Sequence, residues 1–329
     1  VQRVTIYSVA QACGVSSSTV SRAFTRPDLV NDEVRQRVLD TAAQMGYRPN
    51  RSARATATGR TGMVGLVVPD ITNPFLPPLV RAVQRAAGLA EWSVLLVDAE
   101  GNAAAEARLI NQLQGQVDGL ILASPRARPD ALREAIRDLP AVLINREVSG
   151  LPSVVCDTAQ ALSKIGDQLL QLGHREVALL GGPVDSWAAG QRAAAVRNWA
   201  VGAGVVLDEL GPFDASFEGG RDAADHMLRT GATAAFAFDD VMACGVLAEL
   251  AARDVAVPGQ RSVVGCDDVL MARMVTPSLS TVTAPTDQLG GVAVDLLHRA
   301  IDTPSARAEA RTLPGRPVLR GSTGPAPSR

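Results

Sequence analysis

The spacing of apolar residues changes once along the chain, near residue 60. Before that point, three short stretches carry apolar residues at helical intervals. Thr5 can cap a helix in which Ile6, Val9, Ala10 and Cys13 recur at i, i+3, i+4 and i+7, and Gly14 ends it. Ser16 can cap a second helix beginning at Ser17. Asn31 can cap a third, with Asp32 and Glu33 at its positive end. Val34, Val38, Ala42 and Met45 form the buried stripe of that third helix, and Gly46 stops it. Helix, glycine turn, helix and supporting helix predict helix-turn-helix geometry.

From Gly62 onward, short apolar runs alternate with amphipathic stretches. Strands are predicted at Val64–Val68, Val94–Val97, Leu120–Leu122, Val142–Ile144, Val177–Leu180, Ala234–Phe238, Ser262–Cys266 and Leu279–Thr283. Helices are predicted at 75–91, 103–114, 160–171, 187–201, 218–229, 240–252 and 287–302. Pro314 and Pro317 flank a short final strand, after which Gly, Pro and Ser predict disorder. Repeated βαβ units imply a parallel sheet covered by helices on both faces, and their two blocks imply two subdomains. The expected architecture is an all-α helix-turn-helix head on an α/β body of two parallel-sheet, Rossmann-like subdomains.

Composition narrows the class. With 329 residues and 47% hydrophobic content, the chain can bury sizeable cores and is not disordered. No apolar run approaches the ~18 residues of a membrane helix. Residues 1–15 lack the layout of a signal peptide, so a cytoplasmic protein without a membrane partner is expected. Cys13, Cys156, Cys244 and Cys266 form no CxxC, and His174, His226 and His298 are equally scattered, so neither metal nor disulfide frame is indicated. No GxGxxG, P-loop, GxSxG or HExxH is present, and Gly181-Gly182-Pro183 reads as a turn; no cofactor is called for.

The net charge of −2 hides a division: residues 1–60 sum to +5 and residues 61–329 to −7. A basic head on an acidic body is the layout expected when only the head meets a polyanion. On the second helix, Val20, Ala23 and Phe24 share one side, while Ser18, Ser21 and Arg22 cluster opposite with Ser17 on the flank. Small hydroxyls and one arginine suit a major groove, where Arg can grip guanine O6 and N7.

In a sheet of this kind, ligands bind beyond the C-terminal strand ends, and those positions here are polar. They include Asp70, Thr72 and Asn73 in the run Pro69-Asp70-Ile71-Thr72-Asn73-Pro74-Phe75, then Ser124, Asn145 and Arg146, Asp239-Asp240, and Asp267-Asp268. Amides, carboxylates and an arginine suit a hydroxylated small ligand. Any one of these residues also suits a helix cap, and Asp240 is expected to be one. Trp187 could line the cleft, whereas Trp199 reads as core. The four aspartates could be imagined as paired acids, but no nucleophile–base set accompanies them, so an enzyme is not expected.

The runs VTIYSVAQACGVSSSTVSRAF and RVLDTAAQMGYRPNRSAR resemble the head of the lactose-repressor (LacI/GalR) family of bacterial transcription regulators. The blocks GLVVPDITNPF, QLGHREVALLGGP, FDDVMACG, VVGCDD and PSLSTVTAPTDQLG are similar to that family's effector-binding body, which shares its fold with periplasmic sugar-binding proteins. The resemblance implies a helix-turn-helix domain at 1–49, a hinge helix or linker at 50–60, and an effector-binding and dimerisation domain at 61–323. It further implies an N-subdomain of about 61–157 and 285–313, a C-subdomain of about 158–284 and 314–323, and a disordered tail at 324–329.

By the same resemblance, Ser17, Ser18 and Arg22 read bases, while Thr5, Tyr7, Ser16, Thr19, Ser21, Tyr47 and Asn50 face the DNA backbone. Arg51, Ala53, Arg54 and Thr56 fall in the hinge that enters the minor groove; Thr56 stands where the family has its wedging leucine, and a threonine is a poorer wedge. Asn73, Phe75, Ser124, Asn145, Arg192, Asp239 and Asp267 fall at effector-contacting positions. Asp239 replaces the family's usual Asn, Cys266 an aromatic and Ala195 a glycine. The implied protein is a ligand-responsive repressor that binds near-palindromic operator DNA as a homodimer on the nucleoid. Its effector would be a sugar, sugar acid or sugar phosphate. The alternative is the solute-binding protein of a sugar transporter. With no leucine heptad helix at the end of the chain, a C-terminal tetramer bundle is not expected.

Overall fold

The computed structural model describes residues 4–25, 27–47, 59–303 and 307–328. They form two compact units, Val1–Met63 and Val64–Arg329. The first contains helices α1 (Ile6–Cys13), α2 (Ser17–Thr25) and α3 (Asp32–Gln44), with a 3-10 turn at Pro27–Leu29 between the last two. Each helix starts at its expected cap. Thr5 accepts from the Ser8 amide in a reciprocal capping box. The Ser16 hydroxyl takes the Thr19 amide at 3.1 Å, and Asn31 Oδ1 takes the Glu33 amide at 2.9 Å. Gly14 turns the chain out of α1 at φ 64°, a left-handed conformation that suits glycine. The core is small: Val9, Ala10, Cys13, Val20, Ala23, Val38 and Ala42 are buried, and the half-buried Phe24 and Tyr47 pack beside them.

The second unit holds two parallel sheets. Strands β1 (Met63–Val68), β2 (Ser93–Asp98), β3 (Gly119–Ala123), β4 (Ala141–Ile144), β5 (Ser153–Asp157) and β11 (Ala310–Pro314) form a six-stranded sheet in the order β11-β5-β4-β3-β1-β2. Strands β6 (Glu176–Leu180), β7 (Val206–Leu210), β8 (Ala234–Ala237) and β9 (Ser262–Val264) form a second sheet in the order β7-β6-β8-β9. An antiparallel pair, β10 (Thr281–Thr283) and β12 (Arg316–Val318), lies where the chain leaves and re-enters the second lobe.

The helices that cover these sheets are α4 (Leu76–Leu89), α5 (Ala103–Gln112), α6 (Pro129–Ile136), α7 (Ala159–Gln171), α8 (Trp187–Ala203), α9 (Phe217–Met227), α10 (Asp240–Ala252), α11 (Leu270–Met274) and α12 (Thr286–Asp302). The chain crosses between lobes after β5, before α12 and before β12, so neither lobe is continuous in sequence.

Five of these elements were not expected from the pattern: β5, β7, β11, α6 and α11. Two of them, β7 and β11, are edge strands. Their residues are mostly exposed or half-buried, so no apolar alternation marks them. Trp199 is core as expected, its ring meeting Phe236 edge-on at 5.8 Å.

The terminal segment also departs from expectation. Gly324 through Ala326 were placed in a disordered tail, yet they are tied to the second lobe. Gly324 N–H donates to Ser262 Oγ at 3.1 Å, its carbonyl meets His174 Nε2 at 3.0 Å, and Ala326 N–H reaches the Leu172 carbonyl at 2.8 Å. Gly and Pro exclude regular structure there but not order, because buried polar partners elsewhere use this backbone.

Helices α9 and α10 approach through glycine. A Cβ on Gly245 would overlap the Phe217 carbonyl oxygen, and one on Gly220 the Met242 carbonyl oxygen. Gly245→Ala is expected to destabilise the body by about 1–3 kcal/mol, through overpacking against backbone that has nowhere to move. Gly202→Ala, on an exposed turn of α8 with nothing within 4 Å, should be neutral or stabilising by up to ~1 kcal/mol. Urea denaturation of the two variants side by side checks the pair.

Candidate functional site

On the first unit, α2 sorts its residues as the helical period demands. Val20 and Ala23 are buried at 0% and 3% exposure, while Ser18 and Arg22, one turn apart, are exposed. Ser17 and Ser21 are half-buried on the flanks. Ser16 Oγ also bonds Ser18 Oγ at 2.7 Å and Thr19 Oγ1 at 2.8 Å, so a cluster of hydroxyls marks the positive end of α2. Thr5 is exposed beside its helix, and Tyr7 is 73% exposed. Tyr47 is placed differently. Its ring is half-buried, 6.0 Å from that of Phe24 at the edge of the core, and burial raises its hydroxyl pKa. Asn50, Arg51, Ala53, Arg54 and Thr56 lie outside the described residues.

In the second unit, the seven expected effector residues converge. Asn73, Phe75, Ser124, Asn145, Arg192, Asp239 and Asp267 line one cavity of about 60 Å³ between the lobes. Every one of the seven follows a strand end or lies on the helix after it. Ser124, Asn145 and Asp267 have φ of 46°, 52° and 114°, a left-handed backbone that non-glycine residues seldom adopt. Strain of this kind concentrates at ligand-binding sites.

Arg192, on α8, is the hub. Its Nη1 donates to the Phe238 carbonyl at 2.7 Å and its Nη2 to Asp267 Oδ1 at 2.6 Å, while the guanidinium lies 5.0 Å from the Phe238 ring centroid. Burial works against its charge, but Asp267, Cys266 and Asp239 together outweigh this and hold its pKa above the ordinary value. Burial pushes the Asp267 carboxyl up, and Arg192 opposes it. Asn145 Oδ1 accepts from the Cys156 amide and Asn73 Oδ1 from the Phe75 amide, each at 2.9 Å. Their amide nitrogens are the side-chain atoms left for a ligand.

The cap at the start of α10 is Asp239, which also lines the cavity, and not Asp240. Asp239 Oδ1 accepts from the Met242 amide at 2.8 Å. Asp240, expected to cap, is fully buried and acts as a brace. Its Oδ2 accepts from the Val269 amide at 2.9 Å and its Oδ1 from the Thr281 hydroxyl at 2.6 Å. Burial pushes its carboxyl up to about 8. Sequence alone cannot separate adjacent aspartates, because the helix register sets which one precedes the first turn.

Other assignments also shift. Cys266 and Ala195 are buried in the hydrophobic core of the second lobe and do not line the cavity. Trp187 is half-buried at the start of α8 and lies outside the cavity lining, although its neighbours Ser186 and Ala188 belong to it. Arg146, singled out at a strand end, is buried and turns to the carbonyls of Pro125, Ala127 and Asp185, each at 3.4 Å.

Arg126 and Phe238 are cavity residues that sequence reasoning missed; Phe238 directly follows β8 and Arg126 lies in the loop after β3, so the strand-end rule could have found them. Arg126 Nη1 reaches Asp185 Oδ1 at 3.0 Å across the cleft. Glu106, 3% exposed, takes the Arg126 and Ala127 amides at 2.9 and 2.8 Å and orders that loop.

A helix-turn-helix unit with an arginine-bearing exposed face, joined to a two-lobed body with a polar cleft, defines a ligand-binding regulator of DNA. Residues 5–50 match the lacI family of bacterial regulatory proteins, and residues 167–323 match a periplasmic binding protein-like domain. The HTH-type transcriptional regulator DegA of Bacillus subtilis (strain 168) is 32% identical over 98% of this chain and 99% of its own. The Lac repressor dimer bound to operator and the anti-inducer ONPF aligns with a TM-score of 0.85 at 26% identity, covering 98% of this chain and 100% of that one. A LacI family regulator from Enterococcus faecium with bound ribose aligns with a TM-score of 0.71 at 28% identity, over 80% of this chain and 99% of that one. The chain belongs to the lacI family of bacterial regulatory proteins. It is a transcriptional regulator rather than an enzyme or a transporter's binding protein. Among the described residues, no helix is long and apolar enough to cross a membrane.

Proposed function

We propose that this protein is a ligand-responsive repressor that binds a near-palindromic operator as a homodimer and is controlled by a sugar or sugar derivative held in the cleft. The observation that carries it is the convergence of Arg192, Asp267, Asp239, Asn73, Asn145, Ser124 and Phe75 on one cavity, in a chain whose other unit exposes Ser18 and Arg22 on a helix. The operator-bound Lac repressor dimer and the ribose-bound Enterococcus faecium regulator support the two halves of the reading.

In this reading, Ser17, Ser18 and Arg22 read base edges. Thr5, Tyr7, Ser16, Thr19, Ser21, Tyr47 and Asn50 hold phosphates, and 50–60 joins the head (1–49) to the effector-binding body (61–323). The body's N-subdomain takes in about 61–157 and 285–313, and its C-subdomain about 158–284 and 314–323. The protein works in the cytoplasm on chromosomal DNA. A ligand that favours one arrangement of the lobes shifts operator affinity only by its differential affinity for the two, typically about 1–3 kcal/mol. Selection from a random DNA pool by the full chain should enrich a near-palindrome, with affinity falling steeply as salt rises. Asymmetric sequences, or a flat salt response, would remove the repressor reading.

A further inference from the structure

The cleft holds a buried carboxylate oxygen, Asp239 Oδ2, that no donor satisfies. Three arginines near it are matched by three acids. Arg126 pairs with Asp185 at 3.0 Å and Arg192 with Asp267 at 2.6 Å, and Arg146 sits in the field of the buried Glu106. Two carboxyls remain, Asp239 and Asp240. Asp240 is occupied by the Thr281 hydroxyl and the Val269 amide, and burial pushes its carboxyl up to about 8. Asp239 does not share that solution. It is 2% exposed, its Oδ1 is committed to capping α10, and its Oδ2 is buried without a hydrogen-bond partner in the wall of the cavity. A buried carboxylate oxygen left without a donor is costly.

We propose that the effector places a protonated amine on Asp239, so that its class is an aminated polyol such as an amino sugar. This rests on the reading of the cleft as the effector site. Arg192 and Asp267, already bonded to each other, orient the ring hydroxyls, and the amide nitrogens of Asn73 and Asn145 donate to its oxygens. An ammonium donates to Asp239 Oδ2 and supplies the donor that this oxygen lacks. A sugar acid or phosphate would instead add a second anion where Arg126 and Arg192 are already paired.

The experiment uses the full chain and three matched pairs: D-glucose with D-glucosamine, D-galactose with D-galactosamine, and D-mannose with D-mannosamine. Thermal shift and operator release are read for each. The amino member of at least one pair should bind about tenfold tighter than its hydroxyl twin, because a charge-assisted hydrogen bond exceeds a neutral one by about that factor. The preference should vanish in Asp239→Asn, and also in Asp239→Ser, which keeps a capping oxygen should the first variant fold poorly. Burial and the neighbouring Asp267 push the Asp239 carboxyl up to about 6. The preference should therefore hold at about pH 7.5 and shrink at about pH 5, where that carboxyl is protonated.

Hydroxyl twins that bind as well as or better than amines overturn the proposal, as does an amine preference that survives both Asp239 variants. A neutral sugar that binds, releases operator and loses both effects in Arg192→Ala leaves the effector reading standing without the amine. If no sugar of either kind acts, both readings fall.

Discussion

Arg192→Ala should abolish the effector response and destabilise the body by about 3–5 kcal/mol, the usual cost of removing one partner from a buried ion pair. The two side chains are 14% and 8% exposed, so neither charge is well solvated. Without the guanidinium, Asp267 and Asp239, at the ends of adjacent strands, lose the cation that both of them face, and the Phe238 carbonyl loses its donor. Arg192→Lys should fail nearly as completely. One ammonium lacks the planar fork that spans the Phe238 carbonyl and Asp267 Oδ1 together. Thermal melts and operator release, measured for both variants, check this. A wild-type response to effector in Arg192→Ala would remove the hub.

Arg22→Ala should cost about 1–3 kcal/mol of operator affinity per half-site, and roughly twice that for a symmetric dimer, while nonspecific DNA binding changes little. Arg22 is exposed one turn beyond Ser18 and contributes nothing to the buried core of Val9, Val20, Ala23 and Val38, so the variant should fold normally. The expected loss therefore lies in discrimination between operator and random sequence, with a small change in the slope of log affinity against log salt. Tyr7→Phe removes only an exposed hydroxyl and should weaken binding modestly and evenly across sequences. Fluorescence anisotropy on operator and scrambled duplexes at several salt concentrations separates the two patterns. Equal losses on both duplexes in Arg22→Ala would make Arg22 a phosphate contact.

Much of the fold was legible in the sequence. Thr5, Ser16 and Asn31 start the three head helices because a cap bonds an amide two or three residues away, and the pattern is complete within one turn. The central strands Met63–Val68, Gly119–Ala123 and Ala141–Ile144 showed as apolar runs because both their faces are covered. Val206–Leu210 and Ala310–Pro314 did not, since an edge strand takes its conformation from the neighbour it pairs with: β6 in the first case and β5 in the second.

The site divides along the same line. That Asn73, Ser124, Asn145, Asp239 and Asp267 would matter followed from polar residues at strand ends, a rule needing only local pattern. The sequence by itself therefore determined the helix-turn-helix head, the parallel α/β class of the body and the residues available to bind. Only the tertiary structure decided that Asp239 caps and Asp240 braces, that Arg146 serves loop carbonyls while Arg126 enters the cavity, and that Gly324 is anchored by His174 and Ser262. Those choices depend on partners tens to hundreds of residues away. Burial then removes water as an alternative partner, so each polar group takes whichever distant neighbour the fold brings within hydrogen-bonding reach.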